Sequence, residues 1–321
     1  MIERPIVIGI DTSNYTTSVA LVYADGELIA NIKRPLPVKP GEVGLRQSDA
    51  VFAHIKNLPS AMDEAKEFLN GRTPSAVGVS TRPRNVEGSY MPCFLAGVAA
   101  AKSIASALSV KTYEFSHQCG HIMAALYSSD GWDMNNDVGK FAAFHVSGGT
   151  TEMLSVERTE VGFSAEIVGG TKDISAGQLI DRIGVHLGLK FPAGPELERL
   201  ALDYHGKIPS KKIPQTDGFV NLSGIENIAK RMMAETSDPS LVAAFTLNCV
   251  AKALEGMTQY YRNNIGAVPF VYAGGVMCNS LLRDFLKKRF DAYFATPAMS
   301  SDNAVGIAVL AAQAFCKDMK F

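Results

Sequence analysis

Residues 141–151 read FAAFHVSGGTT. The first six, apolar apart from His145, have the composition of a strand buried on both faces. They run directly into Ser147, Gly148, Gly149, Thr150 and Thr151. In a turn of such small residues, backbone N–H groups and hydroxyls can point outward together and cradle a phosphate. Residues 152–158 and 163–168 then read as two more strands, and residues 175–187 carry a helical pattern. The same order occurs once before. Residues 5–10 (PIVIGI) are an apolar strand and residues 11–17 (DTSNYTT) a polar loop. Two strands, residues 18–23 and 27–33, meet at Asp25-Gly26, and residues 49–70 are helical in pattern. Asp11 and Ser147 open equivalent loops 136 positions apart, a period too long for a stacked repeat.

A duplicated strand-turn-strand-strand-helix unit implies an α/β protein. Two mixed domains facing each other across a nucleotide-binding cleft fit it, the arrangement of the actin, hexokinase and Hsp70 type (ribonuclease H-like, or ASKHA). The expected first domain covers residues 1–129 plus 303–321 and the second residues 139–302, with residues 130–139 connecting the halves. A third loop follows the same logic. Residues 268–271 (VPFV) lead as a strand into Tyr272-Ala273-Gly274-Gly275-Val276-Met277-Cys278-Asn279, and a helix starts near Ser280. Gly274 and Gly275 stand where a nucleoside or phosphate can sit ahead of a helix. Asn279 reads either as that helix's N-cap or as a contact to ribose or base.

Composition narrows the class. With 47% hydrophobic and 20% charged residues, the 321-residue chain has the makings of folded domains with full cores. A formal net charge of −1 offers no global attraction for nucleic acid. Binding of that kind needs a local patch, such as Lys287-Lys288-Arg289 or Lys207 with Lys211 and Lys212, or a helper protein; either cluster also reads as a solvated face. Five cysteines with no CxxC pair exclude a disulfide framework and a zinc knuckle and point to a reducing compartment. The N-terminus lacks the long apolar region of a signal peptide, and the apolar run at residues 94–110 is interrupted by Lys102. The expectation is a soluble, cytoplasmic protein with no membrane partner.

Several residues carry candidate chemistry. His117 and His121 stand four apart in SHQCGHIM, a spacing that stacks both imidazoles on one helix face and suits a single metal. Residue 118 is Gln, so the HExxH signature of a zinc peptidase is missing. Asp302, ahead of the apolar helix at residues 304–315, is the third ligand candidate or a first-turn carboxylate. Two histidines and one carboxylate suit iron(II) or zinc. Asp11, ending the first strand, reads as a catalytic carboxylate that holds magnesium or a water near phosphate, or as a turn former. Asp181, on an apparent helix, and Gly194, in FPAGP, stay undecided on residue chemistry alone.

Taken in order, GIDTS (9–13), the His117–His121 pair, VSGGTTE (146–152), DISAGQLIDRIGVHLGL (173–189), FPAGP (191–195), NLSGIEN (221–227), AGGVMCNSLLR (273–283) and SDNA (301–304) span nearly the whole chain. The set resembles the TsaD family, also called Gcp or glycoprotease-like, of tRNA threonylcarbamoyl transferases. The resemblance implies transfer from threonylcarbamoyl-adenylate to the N6 amine of an adenosine beside the tRNA anticodon. It implies one divalent metal, iron or zinc, on His117, His121 and Asp302. It implies an ATP-derived adenylate, with or without magnesium, on the main chain of His145, Val146, Ser147, Gly148 and Gly149, with Asp181, Gly194, Gly274, Gly275 and Asn279. Partners would be tRNA, helper proteins and a paralogous protein. Peptidase chemistry is disfavoured, since no nucleophile–base pair is visible.

The chain also departs from the family pattern. Where the family reads ETSCDET, this chain has Tyr15 and Thr16 in place of the acidic pair; the His of SGGHT is Thr150, the second of two aspartates is Ile174, and a Glu is Gln178. Loss of these groups would change magnesium binding and proton handling. It fits a divergent member with another acceptor or weakened activity. Two other readings stand beside it. One is a non-catalytic nucleotide- and metal-binding paralogue that scaffolds a tRNA-modification complex. The other is a small-molecule kinase or carbamoyltransferase of the same superfamily, which needs a catalytic Asp in the second half.

Overall fold

The computed structural model describes residues 4–13, 15–37, 45–132, 138–160, 162–236, 238–300 and 302–319. Asn14, residues 133–137 of the connecting segment and Ser301 of the SDNA string lie outside them. The chain begins with β1 (Ile6–Ser13), β2 (Thr16–Tyr23) and β3 (Leu28–Pro35), an antiparallel meander, then α1 (Gln47–Leu69), stopped by Asn70 in the left-handed conformation. Next come β4 (Ala76–Arg82), α2 (Phe94–Leu108), β5 (Lys111–Ser116) and α3 (His117–Ser128). The second half supplies β6 (Lys140–Val146), β7 (Thr151–Thr159), β8 (Gly162–Thr171), α4 (Ala176–His186) and α5 (Gly194–Leu202). Two-residue strands β9 (Gln215–Thr216) and β10 (Phe219–Val220), α6 (Ser223–Glu235), α7 (Pro239–Asn264), β11 (Phe270–Ala273), α8 (Ser280–Lys287), β12 (Ala292–Phe294) and α9 (Val305–Met319) complete it.

Strand order exposes the duplication. The first sheet runs β3-β2-β1-β4-β5, and the second contains β8-β7-β6-β11-β12, with β10 and β9 added beyond β8. In both, the central strand (β1 or β6) pairs antiparallel with the next strand and parallel with a strand that returns through helices. By contacts the chain divides into residues 1–127, 158–164 and 301–321, and residues 128–157 and 165–300. Asp302, at the end of the expected second domain, therefore belongs with the first unit, as do the tips of β7 and β8.

The polar loop expected at residues 11–17 is instead the end of a hairpin. Asp11 pairs with Ser18, Thr12 with Thr17 and Ser13 with Thr16. Hydroxyl residues fit a strand here because their polar atoms have partners. Thr12 Oγ1 donates to the Cys93 carbonyl (3.1 Å) and accepts from Gly97 N (3.0 Å).

In the first unit Ile6, Ile8, Ile10, Val19, Leu21, Val77 and Val79 form the sheet's buried layer under α1 and α2. α9 packs on the same sheet through glycine notches: a methyl at Gly9 would lie 2.6 Å from Ala308 N, and one at Gly78 2.6 Å from Ala311 Cβ. In the second unit β6, β11 and β12 contribute a stack of Phe144, Tyr272 and Phe294, with ring centroids 4.6 and 5.1 Å apart, inside the core lined by α4 and α7. Offset aromatic stacking of this kind adds about 0.5–1.5 kcal/mol per pair to the burial.

Candidate metal centre and nucleotide loops

α3 starts at His117, the residue after β5 ends, so the first histidine stands at a strand-to-helix corner. Ser116 Oγ accepts from Cys119 N (3.2 Å) and holds the opening turn. His121 follows one turn on, and the two rings meet edge to face with centroids 4.2 Å apart. Asp302 comes from far along the chain. Val305 N, at the start of α9, donates to Asn303 Oδ1 (3.0 Å), so Asn303, and not Asp302, makes the capping bond there. Asp302 Oδ1 instead lies 3.1 Å from His121 Nε2 and 3.7 Å from His117 Nε2.

Two glycines allow this meeting. A methyl at Gly306 would lie 1.9 Å from the Gly120 carbonyl oxygen, and one at Gly120 2.9 Å from Ile307 Cδ1. α3 and α9 thus cross with almost no side chain between them, beside the histidines.

The donor set suits a divalent ion. Ligands about 2.0–2.1 Å from a tetrahedral centre lie about 3.4 Å from one another. The three donor groups all fall within 4.8 Å of one another, and the distances from the two histidines to Asp302, 3.1 and 3.7 Å, bracket the tetrahedral value. Two imidazoles and one carboxylate match iron(II) or zinc with positions left for other ligands.

Asp11 differs from the expectation of a carboxylate offered to magnesium or water. It is fully buried. Its oxygens accept from Ser13 Oγ (2.7 Å), Ser80 Oγ and His117 Nδ1 (3.2 Å). A carboxylate on one ring nitrogen fixes the tautomer and aims the other nitrogen, here Nε2, toward Asp302. Asp11 is a positioning residue for His117. Burial pushes the Asp11 carboxyl up, but the His117 ring and the Ser80 hydroxyl outweigh it and hold the carboxyl below its usual range. Burial pushes His117 down, and Asp11 and then Asp302 more than reverse that, leaving it raised.

Residue patterns did not disclose the rest of this neighbourhood. Ser80, on β4, and His54, on α1, come from elements with no motif. His54 Nδ1 lies 2.8 Å from Thr17 Oγ1, and its buried Nε2 has no hydrogen-bond partner among the described residues. Burial lowers the His54 pKa against the pull of Asp11. Burial likewise lowers the Lys33 ammonium against the pull of Asp302. Gly120 and Gly306 did leave a signal: glycine inside a helix costs about 1 kcal/mol relative to alanine and calls for a packing reason.

The remaining candidates gather on the second unit. β6 delivers His145 and Val146 into a turn in which Ser147 N donates to the Thr150 carbonyl (2.8 Å) and Thr150 N to Ser147 Oγ (3.1 Å). The N-terminus of α4 locks that turn. Ser175 Oγ donates to the Gly148 carbonyl (2.8 Å) and Ala176 N to Thr151 Oγ1 (2.9 Å), while a methyl at Gly177 would sit 2.4 Å from the Ser147 carbonyl oxygen. Gly274, at φ 102°, abuts Val146 just as closely: a methyl there would lie 2.2 Å from the Val146 carbonyl oxygen. At Gly148, Gly149 and Gly275, by contrast, an added methyl would meet no heavy atom within 4 Å. These glycines leave their backbone open to a ligand. Further along α4, Asp181 Oδ1 accepts from Ala193 N (2.8 Å), which ties it to the segment that opens α5 at Gly194. Asn279 caps α8 by accepting from Leu282 N (3.1 Å), the plainer of its two expected roles.

Gln178 also finds its explanation. Its Oε1 accepts from Ser175 N (3.1 Å) while Ser175 Oγ accepts from Gln178 N (3.0 Å), a reciprocal capping box that Glu or Gln completes equally.

A family model described as tRNA N6-adenosine threonylcarbamoyltransferase, TsaD, matches residues 39–309. Proteins of that name from Methanopyrus kandleri and Corynebacterium aurimucosum are 26% and 28% identical to the chain, covering 94% and 96% of it and 86% and 91% of their own lengths. Among solved structures, HypF from T. kodakarensis superposes with a TM-score of 0.60 at 11% identity, covering 98% of this chain and 48% of that one. Component A of the Acidaminococcus fermentans (R)-2-hydroxyglutaryl-CoA dehydratase gives 0.53 at 16%, covering 96% and 98%. At these identities the structural likeness speaks for the fold, the two-domain ASKHA architecture.

Proposed function

Because the chain belongs to the TsaD family of tRNA N6-adenosine threonylcarbamoyltransferases, we propose that it transfers a threonylcarbamoyl group from threonylcarbamoyl-adenylate to N6 of an adenosine in tRNA, with iron or zinc on His117, His121 and Asp302. The observation that carries the metal is the meeting of residues 181 positions apart, His121 and Asp302, at 3.1 Å beside His117. In the transfer, the adenosine amine adds to the carbamoyl carbon, the bond from that carbon to the adenylate phosphate oxygen breaks, AMP departs and the amine loses a proton. A divalent ion on the triad would supply Lewis-acid polarisation of the group that gains charge.

The chain's own groups would divide the remaining work. Asp11 would hold His117 with Nε2 forward. The N–H groups of Gly148, Gly149 and Gly275 would receive the adenylate phosphate, where a backbone without Cβ permits close approach. Asp181 would act through the Ala193–Gly194 backbone it holds. Tyr15 and Thr16, in place of the acidic pair, remove negative charge from the β1–β2 turn, and we expect correspondingly weak dependence on magnesium.

The test measures metal content per chain by mass spectrometry, and modified adenosine by nucleoside analysis after incubation with tRNA, ATP, threonine, bicarbonate and an adenylate-forming enzyme. About one iron or zinc per chain and product formation, both lost in His117→Ala, are expected. A well-folded chain that takes up no offered metal and forms no product would sink the transferase in favour of a nucleotide-binding paralogue.

A further inference from the structure

A second concave surface lies on the second unit, away from the glycine loops. Arg262, in the last turn of α7, and Lys287, Lys288 and Arg289, at and beyond the end of α8, line a groove of about 560 Å³ together with Pro269 and Phe290. All four cations are exposed. Asp291 is the one acid lining the groove among the described residues, so the lining carries +3 (four cations less one carboxylate) on a chain whose formal charge is −1. The patch is therefore local, with a balance of −4 left for the rest of the molecule.

Cations at helix ends have an ordinary reason, the negative pole of the helix dipole. That reason covers one or two of them and does not account for two helices converging on one concave wall. Among the described residues Arg289 is ion-paired, to Glu255 at 3.0 Å, while no carboxylate lies within ion-pair distance of Arg262, Lys287 or Lys288. The Arg289 guanidinium carbon sits over the Phe285 ring at 3.8 Å from its centroid, and that of Arg262 over Phe290 at 5.5 Å. The groove thus offers cations steadied by aromatic rings, three of them without an ion-pair partner among the described residues, a lining that suits a nucleic-acid phosphate backbone. A flat bilayer does not fit a concave wall. β11 begins at Phe270 in the groove and ends at Ala273 before Gly274, so the groove and the glycine loop sit at opposite ends of a strand segment about 10 Å long. A ligand touching both is larger than a nucleotide.

We propose that this groove binds the phosphate backbone of the RNA substrate at a point remote from the modified adenosine. The identification of that RNA as tRNA rests on the transferase reading. The full-length protein, wild type and Arg262→Gln/Lys287→Gln/Lys288→Gln, is titrated with bulk tRNA by fluorescence anisotropy between 50 and 200 mM KCl, with metal content and modified-adenosine formation measured alongside. Each lost phosphate contact lowers the salt slope by roughly 0.7–0.9, so the triple variant is expected to lose about 2 to 3 in slope and about tenfold in affinity at low salt, with metal content unchanged. An unchanged slope and affinity overturn the proposal, and if product still forms the transferase reading survives that failure. Loss of RNA binding in the variant, with no product from wild type, keeps the groove and removes the transferase. A wild-type chain that binds no tRNA, or binds polyglutamate or phosphatidylserine vesicles in its place, also overturns it.

Discussion

Gly306→Ala isolates the helix crossing from the proposed metal ligands. The added methyl would meet the Gly120 carbonyl oxygen at 1.9 Å and Ala124 N at 2.8 Å, both backbone atoms of α3 that cannot rotate aside. Restoring a carbon contact of about 3.5 Å requires α3 and α9 to part by about 1.6 Å. Gly120 lies between the two histidines, and Asp302 stands four residues ahead of Gly306, so the displacement falls on the 3.1 Å separation of His121 and Asp302. Two ligands of one ion, each about 2.1 Å from it, cannot be more than about 4.2 Å apart. The shifted pair exceeds that limit, and the carboxylate drops out of the donor set. Alanine raises helix propensity by about 1 kcal/mol, while overpacking costs about 1–3 kcal/mol, so stability falls modestly and metal affinity falls steeply. The assay is competition with a chromophoric zinc chelator, with thermal melting alongside. Gly120→Ala should be milder, because its methyl meets the rotatable end of Ile307 at 2.9 Å; Gly224→Ala, inside α6 with no heavy atom within 4 Å, should leave zinc affinity unchanged and not lower the melting temperature. A Gly306→Ala protein that melts with wild type and binds zinc as tightly would refute the reasoning.

Asp11→Asn should weaken metal binding by about 10- to 100-fold, since it removes the carboxylate that orients His117; an unchanged chelator titration would count against that role. In metal-free protein the two shifted groups act in opposite senses. Asp11, depressed, contributes stability fully above an unfolded value of about 3.9 and loses it as pH falls through the folded value; His117, raised, contributes fully below about 6.5 and loses it as pH rises. The melting difference between wild type and Asp11→Asn should therefore be widest between about pH 4 and 6.5, and a gap that keeps widening to pH 9 would refute the pairing. Gly177→Ala forces a methyl to within 2.4 Å of the Ser147 carbonyl oxygen, so adenylate affinity should drop by roughly tenfold or more while metal content holds. Ser175→Ala, which opens the capping box, should lower urea stability by about 1 kcal/mol.

Wherever local chemistry settles structure, the sequence was readable. FAAFHV and PIVIGI can only be buried strands, Asn70 and Ser175 mark helix ends by backbone preference and side-chain capping, and the four-residue spacing of His117 and His121 puts both on one face of α3. Illegible features depended on partners distant in the chain. Asp11 has the composition of a turn residue, and only Ser80, 69 positions away, and His117, 106 away, make it a buried acceptor. Threonines 12 and 17 look like loop residues until Cys93, Gly97 and His54 satisfy their hydroxyls. β9 and β10, two residues each, are too short for any alternation to register.

The placement of α9 has a consequence for biosynthesis. The glycine notches of β1 and β4 are made early on the ribosome, yet the helix that fills them and the carboxylate that joins His121 come 181 residues after that histidine. At about 5–20 residues per second, the interval is roughly 10 to 35 s. During that time the nascent first unit presents an uncovered sheet face and two histidines without their carboxylate. On the metal reading proposed above, capture of the ion would be a late, essentially post-translational event, and a cell short of zinc or iron would accumulate fully translated chains without it at the α3–α9 crossing.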